Sequence, residues 1–292
     1  MRIQNFNNHE SVIVKICKRL MPVGERQALK KRYKGVVSMN QRLLEELIKE
    51  EQHPFSGWDF SYLEESQRMV EFPLQWKFAN VLKSYLNDCH CLLDMGTGGG
   101  EYLSSFAPLP KKTMATEGYE PNVPIAKKRL EPLGVEVIPI HSDDELPFED
   151  ESFDLIMNKH ESFEASEVAR LLCEDGTFIT QQVGGLNDCE LNLWLNAEPS
   201  YYSNWSLRSA VNSLREVGLT IVEAKDDISR TRFYDVGAIV YYLKAISWQI
   251  PDFSVEKYFD RLAALQDIIN QQGYIDLTKH RFLIIAKKVK HD

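Results

Sequence analysis

Residues 91–106 read CLLDMGTGGGEYLSSF, and their order decides the fold. Cys91, Leu92 and Leu93 lead into an acidic residue, Asp94. Glycines then recur at every second position, Gly96, Gly98 and Gly100, and an amphipathic run from Tyr102 and Leu103 to Phe106 follows. Strand, glycine turn and helix in that order are the opening unit of a nucleotide-binding α/β fold. Glycine lets the backbone turn left-handed and lets a ligand approach where a Cβ would stand. The helix start beyond it presents free amide N–H groups and favours an anion. Glycine turns also occur without any ligand, so a second element is needed.

Glu117 supplies that element. It lies 23 positions after Asp94 and ends the short run Thr113-Met114-Ala115-Thr116. A carboxylate at the tip of a second strand can accept both hydroxyls of a ribose, and the expected spacing is about 20 residues.

With these two parts in place, Asp94-Met95-Gly96-Thr97-Gly98-Gly99-Gly100 resembles the first motif of class I S-adenosylmethionine (SAM)-dependent methyltransferases, acidic-x-Gly-x-Gly-x-Gly. Dehydrogenases space their glycines G-x-G-x-x-G instead. Residues 141–161, HSDDELPFEDESFDLIMNKHE, are similar to the same family's third and fourth strand region, where Leu-Pro-Phe and Phe-Asp recur. The matching stretches run from about 88 to 185.

The resemblance implies SAM as cofactor and S-adenosylhomocysteine as product. It also implies that Gly96, Thr97, Gly98 and Gly100 cradle the methionine carboxylate, with Asp94 near the amine. Glu117 would take the ribose, with Gly118 and Tyr119 bordering it; Tyr119 also reads as a plain surface tyrosine. The family's adenine-binding aspartate falls five residues before the proline of Leu-Pro-Phe. Here that place is Ser142, with Asp143 beside it. Asn158 ends the fourth strand, where the family lines the methyl group. His160 and Glu161 follow as candidate catalytic residues. Methyl transfer from sulfur depends mostly on orientation, and a base is needed only when the acceptor must lose a proton. His160 titrates in the range suited to a base, and it also reads as a residue that positions its neighbours.

The whole chain has 292 residues, 43% of them hydrophobic, enough for one α/β domain with an appendage. It contains no run of 18 apolar residues, and MRIQNFNNHE lacks a signal-peptide core, so a cytoplasmic protein with no membrane span is expected. Five cysteines without metal-ligand spacing read as reduced thiols, and no metal is expected. Net charge is −9, yet residues 1–50 hold 11 Lys/Arg against 5 Asp/Glu. The dense basic run 26–34 reads as a solvated helix face, or as a contact for RNA phosphates.

Alternating strand and helix patterns predict a doubly wound, mostly parallel seven-stranded sheet with helices on both faces. Strands are expected near 90–95, 112–117, 135–140, 153–157, 177–183, 219–224 and 282–286. Residues 184–202 read as irregular. A helical extension covers 1–75, with two apolar stripes (Val12, Ile13, Ile16, Leu20 and Leu43, Leu44, Leu47, Ile48) and an aromatic turn at Trp58-Asp59-Phe60. The methyltransferase domain then spans 76–292. A helical insertion at about 226–280, with helices at 236–248 and 255–272, is expected to act as a lid or an interface, and its opening segment 230–235 is the candidate substrate cover. The acceptor is expected to be a small molecule; RNA methylation, or SAM binding without turnover, are the alternatives.

Overall fold

The computed structural model describes residues 39–55 and 59–289. The stripe from Val12 to Leu20, the basic run 26–34 and Trp58 lie outside the described residues. Eight strands form one sheet: β1 (Met69–Glu71), β2 (Cys91–Met95), β3 (Lys112–Glu117), β4 (Val135–Pro139), β5 (Phe153–Lys159), β6 (Leu172–Val183), β7 (Thr220–Phe233) and β8 (Ile275–Lys287). Their order is β1-β7-β8-β6-β5-β2-β3-β4. β4, β3, β2, β5 and β6 pair in parallel. β8 lies antiparallel between β6 and β7, and β1 is antiparallel to β7.

This corrects the expected seven strands to eight, in a mixed sheet. β1 is too short to announce itself in the sequence. The limits of the last two strands also change. The hairpin of β7 and β8 is paired from Thr220–Lys287 out to Phe233–Ile275, well past the carboxyl end of β6 at Val183. The helical insertion is therefore 234–274, and Arg230 to Phe233 are strand rather than a free cover. Residues 184–202 are only partly irregular, because Cys189–Leu195 is helical.

Alternation along the strands sorts side chains to two faces. Leu92, Leu155, Ile179 and Leu283 join Leu82, Leu103 and Leu130 of the flanking segments on what we term the front face. Leu93, Ile156, Phe178 and Phe282 pack with Val168 and Leu214 on the back. Consecutive leucines thus feed opposite cores, as a central strand buried on both sides requires.

A third cluster lies beyond the carboxyl end of the parallel strands. It joins the helical residues 39–52, β1, the outer ends of β7 and β8, and the helices 189–195, Val236–Ala245 and Val255–Gln272. Arg68 binds it together, donating to Asp235 at 2.8 and 2.7 Å, while Asp235 accepts from the Ala238 N–H at 2.8 Å and caps its helix. The Val255–Gln272 helix keeps its expected limits because both ends are marked. Ser254 accepts from the Lys257 N–H at 3.2 Å, Gly273 closes the far end in the left-handed region, and the Phe253 and Tyr258 rings stack at 5.8 Å. Ser254→Ala is expected to cost about 1 kcal/mol and lower the melting temperature by about 2–4 °C, measured by calorimetric melting.

Candidate functional site

The parallel strands reverse their order of travel at β2, with β3 and β4 on one side and β5 and β6 on the other. Ligands of open α/β sheets bind outside the carboxyl ends at such a point. The loop leaving β2 holds Gly96, Gly98 and Gly100 at φ of +71°, +62° and +80°. Its path is pinned to β3: the Thr97 N–H donates to Thr116 O at 2.9 Å and the Gly96 N–H to Thr116 Oγ1 at 3.2 Å. A Cβ on Gly96 would stand 2.2 Å from Glu161 Cγ. The helix after the loop is a single turn, Glu101–Ser104, and ends short of Phe106, where the amphipathic run closes. Any hold on an anion there comes from loop amides more than from a helix dipole.

Four carboxylates surround this loop. Asp94 is 3% exposed, and burial raises its pKa to about 7 against the pull of the Thr97 hydroxyl and the Lys159 charge. Glu117 is equally enclosed; its Oε1 accepts the Tyr119 N–H at 2.7 Å, and the Gly98 and Gly118 amides also face it. Burial nevertheless raises its pKa. Glu161 lies against Gly96 and accepts the Ser162 N–H at 3.2 Å; Asp143 accepts from the Ser162 hydroxyl. Both are raised, first by burial and further by neighbouring carboxylates, Asp143 and Glu117 for the one and Asp144 for the other. The like charges gathered around the loop add to the cost of ionising each of these groups.

Not every expected residue comes to the cleft. The Ser142 hydroxyl is spent in its own turn, donating to Asp144 Oδ2 at 2.9 Å and accepting the Asp144 N–H at 3.1 Å. Asn158 is fully buried on the back face. Its Oδ1 accepts from Thr180 at 3.0 Å and Gln182 at 2.7 Å, and its amide donates to Ser162 O at 3.1 Å. It braces the 160–162 turn. Tyr119 is 64% exposed, with only its amide engaged at the site.

His160 follows β5 with a left-handed φ of +65°, which swings its ring to the front face. There the Gln181 amide donates to His160 Nε2 at 2.8 Å, while Gln181 Oε1 accepts the Trp76 indole N–H at 2.8 Å. Trp76 thereby orients the amide so that its NH₂ meets the imidazole, leaving the histidine proton on Nδ1. The ring is reachable by solvent yet recessed. Poor solvation of its charged form, with Arg281, Lys159 and Lys279 nearby, lowers its pKa well below the ordinary value. Trp76→Phe frees the amide to turn its oxygen toward an imidazolium. The His160 pKa is then expected to rise, as an NMR titration of the ring would read; an unmoved pKa would dismiss this clamp.

Three further residues escaped the sequence reading. Lys159 alternates with Leu155 and Met157 onto the front face and lies over the Tyr102 ring at 4.3 Å. Gln181 pairs beside it on β6. Arg281 of β8 is buried nearby. The position of Lys159 follows from strand alternation; Arg281 carries no local signal, because it arrives from the far end of the chain. Among the described residues, no three His, Cys, Asp or Glu side chains converge as metal ligands, and no helix is long and apolar enough to cross a membrane.

Comparison with known proteins bears on this geometry. Residues 93–180 match the family model described as a methyltransferase domain. These residues belong to that family. The chain is 27% identical over 144 residues to the uncharacterized methyltransferase YcgJ of Bacillus subtilis (strain 168), which covers 43% of this chain. The match spans 57% of that relative's length. Among solved structures, BH2331 of Bacillus halodurans C-125, titled as a methyltransferase candidate, superposes with a TM-score of 0.54 at 19% identity, over 73% of this chain and 99% of that one. A functionally unknown protein from Deinococcus radiodurans R1 gives 0.52 at 15% identity, over 79% and 100%. At such identities these two likenesses concern the fold alone. The class I SAM-dependent resemblance seen in the glycine motif thus falls within the matched stretch, which includes Gly96 to Gly100, Glu117 and His160.

Proposed function

We propose that the chain is a SAM-dependent methyltransferase acting on a small molecule. The observation that carries the reading is the left-handed glycine loop with Asp94, Glu117, Asp143 and Glu161 gathered around it. Such a site gains from a ligand with net positive charge, and SAM has a sulfonium and an ammonium against one carboxylate. The donor set fits the group: backbone amides of a left-handed glycine loop suit its carboxylate, and the buried carboxylates Asp94 and Glu117 suit its ammonium and hydroxyls. In this reading Asp94 receives the ammonium, Glu117 the ribose hydroxyls and Asp143 the adenine amine, with the Gly96–Gly100 loop around the methionine end. Gly118 and Tyr119 border the ribose, and Tyr119 stays largely in solvent.

When bound, SAM supplies an electrophilic methyl on sulfur and leaves as S-adenosylhomocysteine. The chain's own part is binding, orientation and exclusion of water. The cap of helices 236–245 and 255–272, packed on the outer ends of β7 and β8, supports a small acceptor over a polymeric one. His160 has its Nε2 lone pair occupied by Gln181, which favours a positioning role for it over proton abstraction. The RNA alternative rests on the run 26–34. The free thiols of Cys89, Cys91, Cys173 and Cys189 suit a reducing compartment, and we place the protein in the cytoplasm.

Calorimetric titration of the full chain with SAM tests the reading. Saturable micromolar binding is expected, followed by methyl transfer to one member of a small-molecule acceptor library. Absence of heat and of any thermal shift would overturn it.

A further inference from the structure

We propose that Lys159, Arg281 and the Nδ1–H of His160 form the subsite for an oxyanion, a carboxylate or phosphate carried by the methyl acceptor. This rests on the methyl-transfer reading and specifies its substrate class. Lys159 and Arg281 share the front face of the sheet: Lys159 pairs with Gln181, Gln181 with Leu283, and Arg281 stands two positions before Leu283 on β8. They therefore flank Gln181 from the strands on either side of β6, at the carboxyl end of the parallel strands and on the face that also carries Asp94 and Glu117.

Arg281 is 7% exposed and incompletely used. Its Nη1 donates to Asn187 Oδ1 and to His280 O, but its Nε has no partner among the described residues. Neither Arg281 nor Lys159 has a carboxylate within salt-bridge reach among those residues. Lys279, the third cation, is already paired with Glu71 at 2.5 Å and with Phe72 O at 3.2 Å, so it needs nothing further. Asp188 is buried close by and also has an unpartnered Oδ1. Its other oxygen takes the Tyr242 hydroxyl of the cap at 2.8 Å and the Asn187 amide at 2.6 Å.

A buried guanidinium N–H without an acceptor is rare and costly in a folded protein. Beside it stand an ammonium without a counterion and an imidazole whose proton is fixed on Nδ1 by the Gln181 bond. Burial and the Arg281 charge push the Lys159 pKa down, a repulsion that a bound anion would relieve. A carboxylate or phosphate accepts from all three donors at once. It would also hold the rest of the acceptor toward the acidic cradle where the methyl group is presented.

The test is calorimetric titration of the full chain with benzoate, phenyl phosphate and the neutral benzyl alcohol, repeated on Lys159→Met and Arg281→Met. SAM titration of the same samples serves as the control. Saturable binding of benzoate or phenyl phosphate, at least tenfold tighter than benzyl alcohol and at least tenfold weaker in each variant, is expected while SAM affinity stays within threefold. The preferred anion identifies a planar or a tetrahedral group on the acceptor. Lys159 is only partly buried, so its variant carries the test should Arg281→Met fail to fold. Benzyl alcohol binding as tightly as the anions, or variants that bind them like the native chain, would overturn the subsite with SAM binding intact. A native chain that fails to bind SAM would instead remove the methyl-transfer reading beneath it.

Discussion

Glu117→Ala is expected to weaken SAM binding about thirtyfold or more, a loss on the order of 2 kcal/mol. The side chain is 4% exposed and ends β3 on the front face, directly over the glycine loop. Its orientation is fixed by amides: Tyr119 N–H at 2.7 Å, with those of Gly98 and Gly118. A carboxylate held in this way can accept two ribose hydroxyls without reorganising, and alanine would leave those hydroxyls buried and unpaired. Glu117→Gln keeps the shape and one acceptor and should fall between native and alanine. The empty protein should melt within a few degrees of native in both cases, because the lost amide contacts are offset by removal of a poorly solvated charge. Calorimetric titration of all three proteins reads the ranking. Equal affinities would mean that Glu117 does not touch the cofactor.

Asp188→Asn is expected to change how stability depends on pH. Asp188 is 1% exposed, and burial pushes its pKa up to about 7, against the Tyr242 hydroxyl and the Arg281 charge. Between roughly pH 4 and 7 the folded chain thus keeps a proton that the unfolded chain has released. Stability from this group is fully present at the acid end of that window and is lost as pH rises through 7. The displacement from 3.8 to about 7 amounts to a difference on the order of 4 kcal/mol by pH 8. Asparagine does not titrate and can still accept from Tyr242. The variant should therefore match or trail the native protein at pH 5 and exceed it at pH 8, in melting temperature and in urea midpoint. A constant difference between the two proteins across that range would show that Asp188 is ionised throughout.

The half that carries the glycine loop was legible because its signals are local. Asp94, the glycines and Glu117 occur in fixed order within one strand–turn–strand unit, and the limits of β3 follow from that pattern. The helix 255–272 was legible for the same reason, since Ser254 and Gly273 mark its ends. The β7–β8 hairpin was not. Residues 220–233 read TIVEAKDDISRTRF, too charged to suggest a long strand, and only pairing with residues some fifty positions away explains them. At the site, sequence named the acidic half and missed the basic half. Register separates two neighbouring residues: Asp94 pairs with Met157 and Met95 with Asn158, so Lys159 shares the side of Asp94 and Asn158 the opposite one. Arg281 could be recognised only once β8 was placed beside β6.

The three residues of β1 do more than lengthen the sheet. Without them, the outer backbone of β7 would stand bare from Thr231 to Phe233 as well, lengthening the edge open to a second chain. Met69 to Glu71 form a short, twisted selvage over that margin, and Arg68 stitches it to the cap through Asp235. A chain cut to begin at residue 76 would keep every carboxylate of the cofactor cradle. It would lose the finished border, and with it the barrier to growing strand by strand into its own neighbours.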